Sequence, residues 1–509
     1  MDTIMAETHT EKLRGGYILI ALNQHFLNGD AYVMEDEVYT ICKRVKPKFG
    51  YAEFQEDLRT LVGMGLICRE GHRVYLRNTL RYEESAARSL AQLLPHNELP
   101  CPELPDVMMS KDGFPLTGEQ REAVRMALSS RLSVILGGAG TGKSTLIRAI
   151  SKSSRKQGAH VLCAPTGKAA RNLTERTGMH ARTVHSALGV TPDEDFLAPV
   201  RWSDVEQVIV DEASMMSLGM LAGILSKVNS RCRVTLLGDP NQLLSVGSGN
   251  VLPDLLALGV PHVRLKENHR QNEATSDLWS NVVGFSTLRD GNDLVFGESF
   301  MLHRMSEWCV KQSIVEEAVA RYKAGESVQV LSPYNSATEL SVRKLNDAIR
   351  DQVNPAAPGK LSLGRHFRDG DKVIILNNDR ERNCSNGDVG ILRILSGEER
   401  NYWFRVELPD GRCPTWHSRS IPDDIALAYA LTVHKSQGSE YDTILMPVTD
   451  GFSNMLYRNL IYTAISRARS KVILYGSRNA LSVAIQKPAR PRRSMLVAKT
   501  HMVMEDRAA

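Results

Sequence analysis

The chain has 509 residues, 42% hydrophobic and 24% charged, with a formal net charge of +5. That length exceeds one hydrophobic core and implies several domains, and the ordinary globular mix excludes a disordered or collagen-like chain. The mild basic excess permits a nucleic-acid partner without requiring one. No apolar stretch is long enough to span a bilayer, and the N-terminus has no signal-peptide core. The eight cysteines form no CxxC pair. The expectation is a cytoplasmic protein with reduced thiols, no membrane partner and no zinc ribbon.

In chain order, "YILIALNQHF" (17–26) and "FQEDLRTLVGMG" (54–65) have helical apolar spacing. "LICREGHRVYLRN" (66–78) alternates as a β-hairpin does, with Arg69, His72 and Arg73 at its tip. Helices followed by a hairpin suggest a winged-helix-like module over residues 1–105, closed by a charged helix (79–94) and a Pro-rich linker (94–106). Two readings stand open for it, a packing module and a nucleic-acid-binding one. From residue 110 short β-branched runs alternate with helical segments: "LSVILGG", "AHVLCAP", "VEQVIVDEA" and "RVTLLGDP". A second set follows: "SVQVLSPY", "YALTVHKS", "DTILMPV" and "KVILYG". This is α/β architecture, with parallel sheets and crossover helices. The expected divisions are a first lobe at 106–270 and a second at 271–360 and 422–485. A Gly-punctuated β-barrel insertion takes 361–421, and a basic tail takes 486–509. Neither lobe needs residues 1–105 to complete its sheet, so a chain beginning near Pro105 is expected to fold. The tail "QKPARPRRSML" reads as solvated, the alternative being contact with DNA phosphates.

"GGAGTGKS" (137–144) fits GxxxxGKS between an apolar strand and a helix. Its glycines let backbone N–H groups curl around phosphates. Lys143 supplies a charge to the β/γ-phosphates, and the Ser144 hydroxyl can ligand Mg²⁺. In "VIVDEAS" (208–214) a strand end presents Asp211 to the metal shell and Glu212 to the attacking water. "LLGDPNQ" (236–242) ends another strand, with Asp239 and Gln242 able to sense a γ-phosphate. Gln120, in "LTGEQ", can both donate to and accept from an adenine edge. "APTGKAA" (164–170) is a further strand-to-helix turn whose Lys168 suits a polynucleotide backbone.

The ordered set "LTGEQ", "GGAGTGKST", "APTGKAA", "TVHSALG", "VDEASM", "GDPNQL", "NHRQ", "LTVHKSQGSEYD" and "YTAISRAR" resembles the RecD-like superfamily 1 DNA helicases of the 5′-to-3′ branch. The resemblance covers residues 110–480. It implies two RecA-like lobes, an SH3-like inserted barrel, and ATP and Mg²⁺ as cofactors. The phosphate loop would be Gly137, Gly138, Ala139, Gly140, Thr141, Gly142, Lys143, Ser144 and Thr145, with Gln120 reading adenine. Asp211 and Glu212 would hold metal and activate water, and Gln242 would couple the γ-phosphate to DNA. Arg270 and Arg467 would be arginine fingers. Pro165, Thr166, Lys168, His185, Thr432, His434 and Ser436 would lie along single-stranded DNA. Gln437 and Gly438 would feel the nucleotide, and Glu440 would accept from its ribose. The sequence departs from the family pattern at Leu244, His269 and "SRAR", each time keeping the neighbouring amide or charged residue.

The resemblance also implies a strand-separating pin at 189–204, where Phe196 and Trp202 are the aromatics; an ordinary loop is the alternative. In the barrel, Trp403 and Trp416 either stack bases or fill the core. The expected function is an ATP-driven DNA helicase in repair or recombination, acting on single strands and duplex junctions. The alternative is a DNA-stimulated motor subunit of a helicase–nuclease complex. A repair or nuclease partner would dock through the N-terminal module.

Overall fold

The computed structural model describes residues 15–105, 108–110, 113–153, 159–191, 195–198, 202, 204–270, 272–336, 338–358, 361–363, 366–379, 381–395, 402–417 and 424–508. The N-terminal part contains α1 (Gly16–Leu27), β1 (Val33–Met34), α2 (Glu35–Val45), α3 (Tyr51–Gly63), β2 (Ile67–Glu70), β3 (Arg73–Leu76) and α4 (Arg77–Leu93). Strands β2 and β3 form the expected hairpin, and β1 pairs with the outer edge of β3. Ile18, Val38, Phe54, Leu58 and Val74 fill one small core.

The first α/β lobe runs through α5 (Gly118–Ser129), β4 (Leu132–Gly137), α6 (Lys143–Lys152), β5 (His160–Ala164), α7 (Gly167–Thr177), β6 (Arg182–Thr183), α8 (Val184–Leu188), β7 (Gln207–Val210), α9 (Leu218–Lys227), β8 (Arg233–Gly238), α10 (Val251–Ala257) and β9 (His262–Leu265). Its strands are all parallel, in the order β6-β5-β7-β8-β4-β9. Helices cover both faces, so β4 and β7 are buried along their whole length. The second lobe holds α11 (Ser276–Gly284), β10 (Phe300–Arg304), α12 (Glu307–Lys323), β11 (Val328–Ser332) and α13 (Val342–Val353) before an insertion. The insertion carries β12 (Ser362–Leu363), β13 (Phe367–Arg368), β14 (Lys372–Ile375), β15 (Val389–Leu395), β16 (Trp403–Glu407), β17 (Thr415–His417) and β18 (Ile425–Leu427). The lobe resumes with β19 (Ala430–Thr432), β20 (Tyr441–Val448), α14 (Arg458–Ile465), β21 (Ala468–Gly476) and α15 (Arg478–Gln486), and the chain continues to α16 (Leu496–Ala508). This second sheet is again all parallel, ordered β10-β21-β20-β11-β19.

The insertion is an antiparallel sheet, β17-β16-β15-β14-β18, whose last strand lies beyond the expected boundary at 421. Burial alternates residue by residue along β15, as a strand with one face on a core requires. Trp416 stacks on Phe404 within that core, whereas Trp403 is half exposed. The insertion also touches the first lobe: Arg171 on α7 donates to Ser385 Oγ at 2.8 Å and pairs with Asp388.

Three expectations change here. Helix α4 does not stay with the N-terminal core. Its Ala86, Ala87, Leu90 and Leu93, three and four residues apart, are buried with Leu221, Ala222 and Leu225 of α9 in the core of the first lobe. The sheet is complete without the module, but its outer helical layer is not. The basic tail is not solvated. Arg490 pairs with Asp30 at 2.6 Å, and Arg493 pairs with Glu37. Leu496 is fully buried, and Lys499 lies 3.3 Å from the buried Glu83 carboxylate. Arg492 donates to the backbone oxygens of Gly247 and Gly249 at 3.3 and 3.0 Å. Its guanidinium fills the space where a side chain on Gly29 would sit, and Gly29 has φ +97°. The third change concerns the pin. Residues 192–194, 199–201 and 203 lie outside the described residues. Phe196 packs its ring on Tyr82 and His185 at 5.7 and 4.9 Å, and Trp202 is 9% exposed. These aromatics are core contacts of the first lobe.

Among the described residues no helix is long and apolar enough to cross a membrane. Because α4 seals the first lobe, Leu90→Ala should lower stability by about 2–5 kcal/mol. A chain beginning at residue 105 should melt at clearly lower temperature or aggregate. Equilibrium unfolding in denaturant checks both, and wild-type midpoints would refute the packing role.

Candidate active site

Parallel sheets place their functional loops at strand ends, where two lobes can face each other. A cleft of 370 Å³ opens there. The first lobe lines it with Gly138–Ser144, Asp211, Glu212 and Gln242; the second adds Glu440, Ser466 and Arg467, and Arg270 lies beside them. The phosphate loop follows β4 directly. Gly140 and Gly142 both have φ +82°, a conformation that side chains disfavour. Close neighbours reinforce the requirement, since a methyl on Gly142 would lie 2.6 Å from Gln120 Nε2. Lys143 Nζ donates to Gly137 O and Gly138 O at 2.6 and 2.8 Å, which holds its charge over the loop. The 268–270 segment grips the same loop: Asn268 Nδ2 donates to Ala139 O at 2.8 Å and His269 N to Gly140 O at 2.9 Å.

Asp211 directly follows β7, and burial and then the Glu212 charge push its carboxyl up to about 6. Glu212 has φ +53°, in the left-handed region that non-glycine residues rarely occupy. Its N–H donates to Asp211 Oδ1 at 2.9 Å, so the acid pair is locked by its own backbone. Asp239 directly follows β8, and burial raises its carboxyl while Tyr462 of the second lobe donates to Oδ2 at 2.6 Å. Gln242 Oε1 and Arg270 Nη1 are buried with no protein partner among the described residues. An acceptor and a donor left open at one cleft suit a water and an anionic oxygen. The Ser144 hydroxyl and Asp211 carboxylate are hard oxygen donors of the kind Mg²⁺ takes.

The lobes meet on the loop after β8. Leu243 N donates to Thr463 Oγ1 at 2.8 Å, and Leu243 O accepts from Gln437 Nε2 at 3.1 Å. Asn459 Nδ2 donates to Gln242 O at 3.3 Å. Deeper in the cleft one carboxylate oxygen, Glu440 Oε1, takes Arg176 at 2.7 Å and Arg270 at 2.8 Å. Burial opposes that charge, but the two guanidinium groups overcome it and hold the carboxyl down at about 2.

Several expected residues fall elsewhere. Gln120 is buried behind the loop: its Oε1 accepts from Thr117 N at 3.1 Å, closing a capping box on α5, and its Nε2 lies 3.2 Å from His269 Nε2. In this arrangement its amide is spent on the protein. Ser436 is fully buried and donates to Val433 O at 2.7 Å, so its expected DNA contact is not on the surface. Gln437 spends its amide on Leu243, away from the cleft. Gly438 lines an inner extension of the cleft, beside Asp211 and Glu212. Gly137 and Thr145 support the loop without lining the cleft. On the other side, Pro165 is buried and Thr166 caps α7, accepting from Ala169 N at 3.2 Å. Burial and Arg171 bring the Lys168 ammonium down to about 8, so a nearby anion would favour its charged form. Thr432 is half-buried at the end of β19, His434 is exposed, and His185 is half-buried against Phe196. Arg176, His269 and Ser466 also line the cleft without having been assigned a role; His269 and Ser466 lie inside quoted motifs, whereas for Arg176 the available hint was its place two helical turns after Lys168.

The AAA domain family matches residues 115–284, and the UvrD-like helicase C-terminal domain family matches residues 427–475. The chain is 32% identical over 433 residues to the ATP-dependent RecD2 DNA helicase of Deinococcus radiodurans, covering 84% of this chain and 58% of that one. It is 30% identical to RecBCD enzyme subunit RecD of Mycolicibacterium smegmatis, covering 73% of each. For the same subunit of Mycobacterium tuberculosis the identity is 30%, over 82% of this chain and 78% of that one. The chain thus spans somewhat more than half of the Deinococcus protein and about three quarters of the mycobacterial ones.

Glu440 carries its charge at about 2 in the folded protein and at an ordinary 4.5 when unfolded, so its stabilising share is complete above that range and is lost as pH falls through it. The melting-temperature gap between wild type and Glu440→Gln should therefore stay constant from pH 8 to about pH 5.5 and shrink only in stronger acid. A gap that closes near neutrality would contradict the ion cluster.

Proposed function

The chain belongs to the RecD family of superfamily 1 helicases, and from that premise we propose that it is an ATP-driven motor that moves 5′ to 3′ along single-stranded DNA and opens duplex, in DNA repair or recombination. The observation that supports this most is the composition of the cleft: a phosphate loop and acid pair from one lobe face Arg467 of the other, with Arg270 between them. Such a site works only when both lobes close on the same nucleotide, so binding and release become relative motion of the lobes.

In this reading Lys143 and the loop N–H groups grip the β/γ-phosphates, and the half-buried Asp211 with Ser144 would hold Mg²⁺. Bound there, the metal would supply charge neutralisation to the transferred phosphoryl group. Glu212 orients the attacking water and takes its proton. Gln242 offers its open Oε1 to that water, and Arg270 and Arg467 meet charge developing at the γ-phosphate. Thr166, Lys168, Thr432 and His434 follow the DNA backbone, with binding that tolerates sequence and weakens in salt. The antiparallel insertion, read as SH3-like, bears on α7 through Arg171 and would cover the strand. The N-terminal part, read as winged-helix-like, would guide duplex or dock a repair partner. A motor subunit within a helicase–nuclease complex is the second reading, favoured by the RecBCD subunit names of the mycobacterial relatives.

Lys143→Ala should abolish ATP hydrolysis and leave single-strand binding intact. On the wild type, 5′-tailed duplex should be displaced and 3′-tailed duplex should not. Displacement from neither tail, with DNA-stimulated hydrolysis retained, would favour the subunit reading; hydrolysis in the Lys143→Ala protein would end both.

Arg270→Ala and Arg467→Ala should each slow turnover by about 10³–10⁵ with little change in ATP affinity. Single-turnover kinetics beside nucleotide binding checks this, and a normal rate in either variant removes that residue from the mechanism.

A further inference from the structure

Helix α7 runs between the two halves of the proposed machine. Its N-terminus carries Thr166 and Lys168, on the DNA-facing side of the motor reading. Arg176, in its last turn, lines both the cleft and the inner extension that contains Asp211 and Glu212. An eleven-residue helix is about 16 Å long and bends little, so a push at one end arrives at the other. The side chains along it agree with that use. Asn172 and Arg176, four residues apart and so on one face, both reach the second lobe: Asn172 Nδ2 donates to Gly438 O, and Arg176 pairs with Glu440 at 2.7 Å. On the adjoining face Ala170, Leu173 and Thr177 are buried, while Ala169 lies against Gly438 of the second lobe.

Glu440 Oε1 is shared. Arg176 from the first lobe and Arg270 approach the same oxygen, and Arg469 of the second lobe lies 3.4 Å from Oε2. Arg270 keeps Nη1 unpartnered among the described residues, and a phosphate oxygen is a fitting acceptor for it. Where Arg270 points therefore depends on where Glu440 is held, and Glu440 is held from α7.

We propose that Arg176 is a positioning residue that carries DNA engagement to the ATP cleft: through Glu440 it sets the attitude of the Arg270 guanidinium, so that a strand gripped at the start of α7 aligns the finger at its end. The proposal rests on the motor reading and adds to it the residue through which the two sites communicate. Arg176 acts on Arg270 through one carboxylate, and a shift of about 1 Å in a catalytic group is enough to cost about 10²-fold in rate.

The experiment measures ATP hydrolysis with and without saturating oligo-dT, single-strand affinity by anisotropy, and thermal melting, for wild type, Arg176→Ala, Arg176→Lys and Asn172→Ala. Arg176→Ala should lower the DNA-stimulated kcat by about tenfold or more while KM for ATP and DNA affinity stay within about threefold. Arg176→Lys, which keeps the charge but not the planar fork, should recover part of the stimulation. Asn172→Ala, which loosens the same helix from the second lobe, should lower the stimulation ratio less. Should Arg176→Ala fail to fold, the Lys variant carries the test, since its stimulation ratio must then fall below wild type. A wild-type stimulation ratio in both Arg176 variants, or a loss confined to melting temperature, overturns the proposal. A wild-type protein that hydrolyses no ATP overturns the motor reading itself, and this inference with it.

Discussion

Leu243 gives both of its backbone polar groups to the other lobe, its N–H to Thr463 Oγ1 and its carbonyl to Gln437 Nε2. A loop residue buried at 2% exposure cannot leave those groups unpaired without a cost of about 1–3 kcal/mol each. The second lobe is therefore the first lobe's hydrogen-bond partner at the place where β8 delivers Asp239 and Gln242. The Tyr462–Asp239 contact and the Asn459–Gln242 contact extend the same seam. Everything proposed for the cleft depends on this attachment, because it holds the strand end that carries Asp239 and Gln242 against the second lobe.

The interior of each lobe is ordinary by comparison. Parallel strands with apolar runs need covering on both faces, and the helices between them supply it. The exceptional demand falls on α9, whose outer surface is covered by α4 and where α16 adds a further layer on α4. Two parts of the chain remote in sequence thus cooperate to hide one helix. The tail then extends the arrangement to the functional loop, since Arg492 reaches the oxygens of Gly247 and Gly249 just beyond the interlobe seam.

What the sequence made legible was what is contiguous. The phosphate loop, the acid pair and the alternation of strands and helices each fit within a short window, and local geometry fixes most of their meaning. Asp211 and Glu212 could be assigned because the apolar run before them marks the end of a strand, whereas the left-handed backbone at Glu212 carried no signal. The rest depended on partners far along the chain. The arginines at 490–493 look like a solvated run until Asp30 and Glu37 are beside them. Gln120 looked free to read a base, yet its amide is taken by Thr117 and by a histidine at 269, where the sequence already departed from the family pattern. Arg176 carries no motif, because a helical arginine acquires meaning only when a carboxylate from another lobe stands opposite. The alanine-rich stripe of α4 was the one readable hint of its burial, since a small module has no surface to cover it.

The seating of Arg492 against Gly29 has a consequence for how the molecule comes into being. Asp30 and Arg490 are 460 positions apart, so their pairing must wait until the chain has been made past residue 490. Contacts of such separation form late, because a long loop must close before they can repay it. During synthesis the first lobe emerges with the 245–249 loop held by Gly29 and Leu218, and Arg492 adds its contacts later. The 490–493 segment therefore fastens late, joining the N-terminal part to the 245–249 loop through one guanidinium.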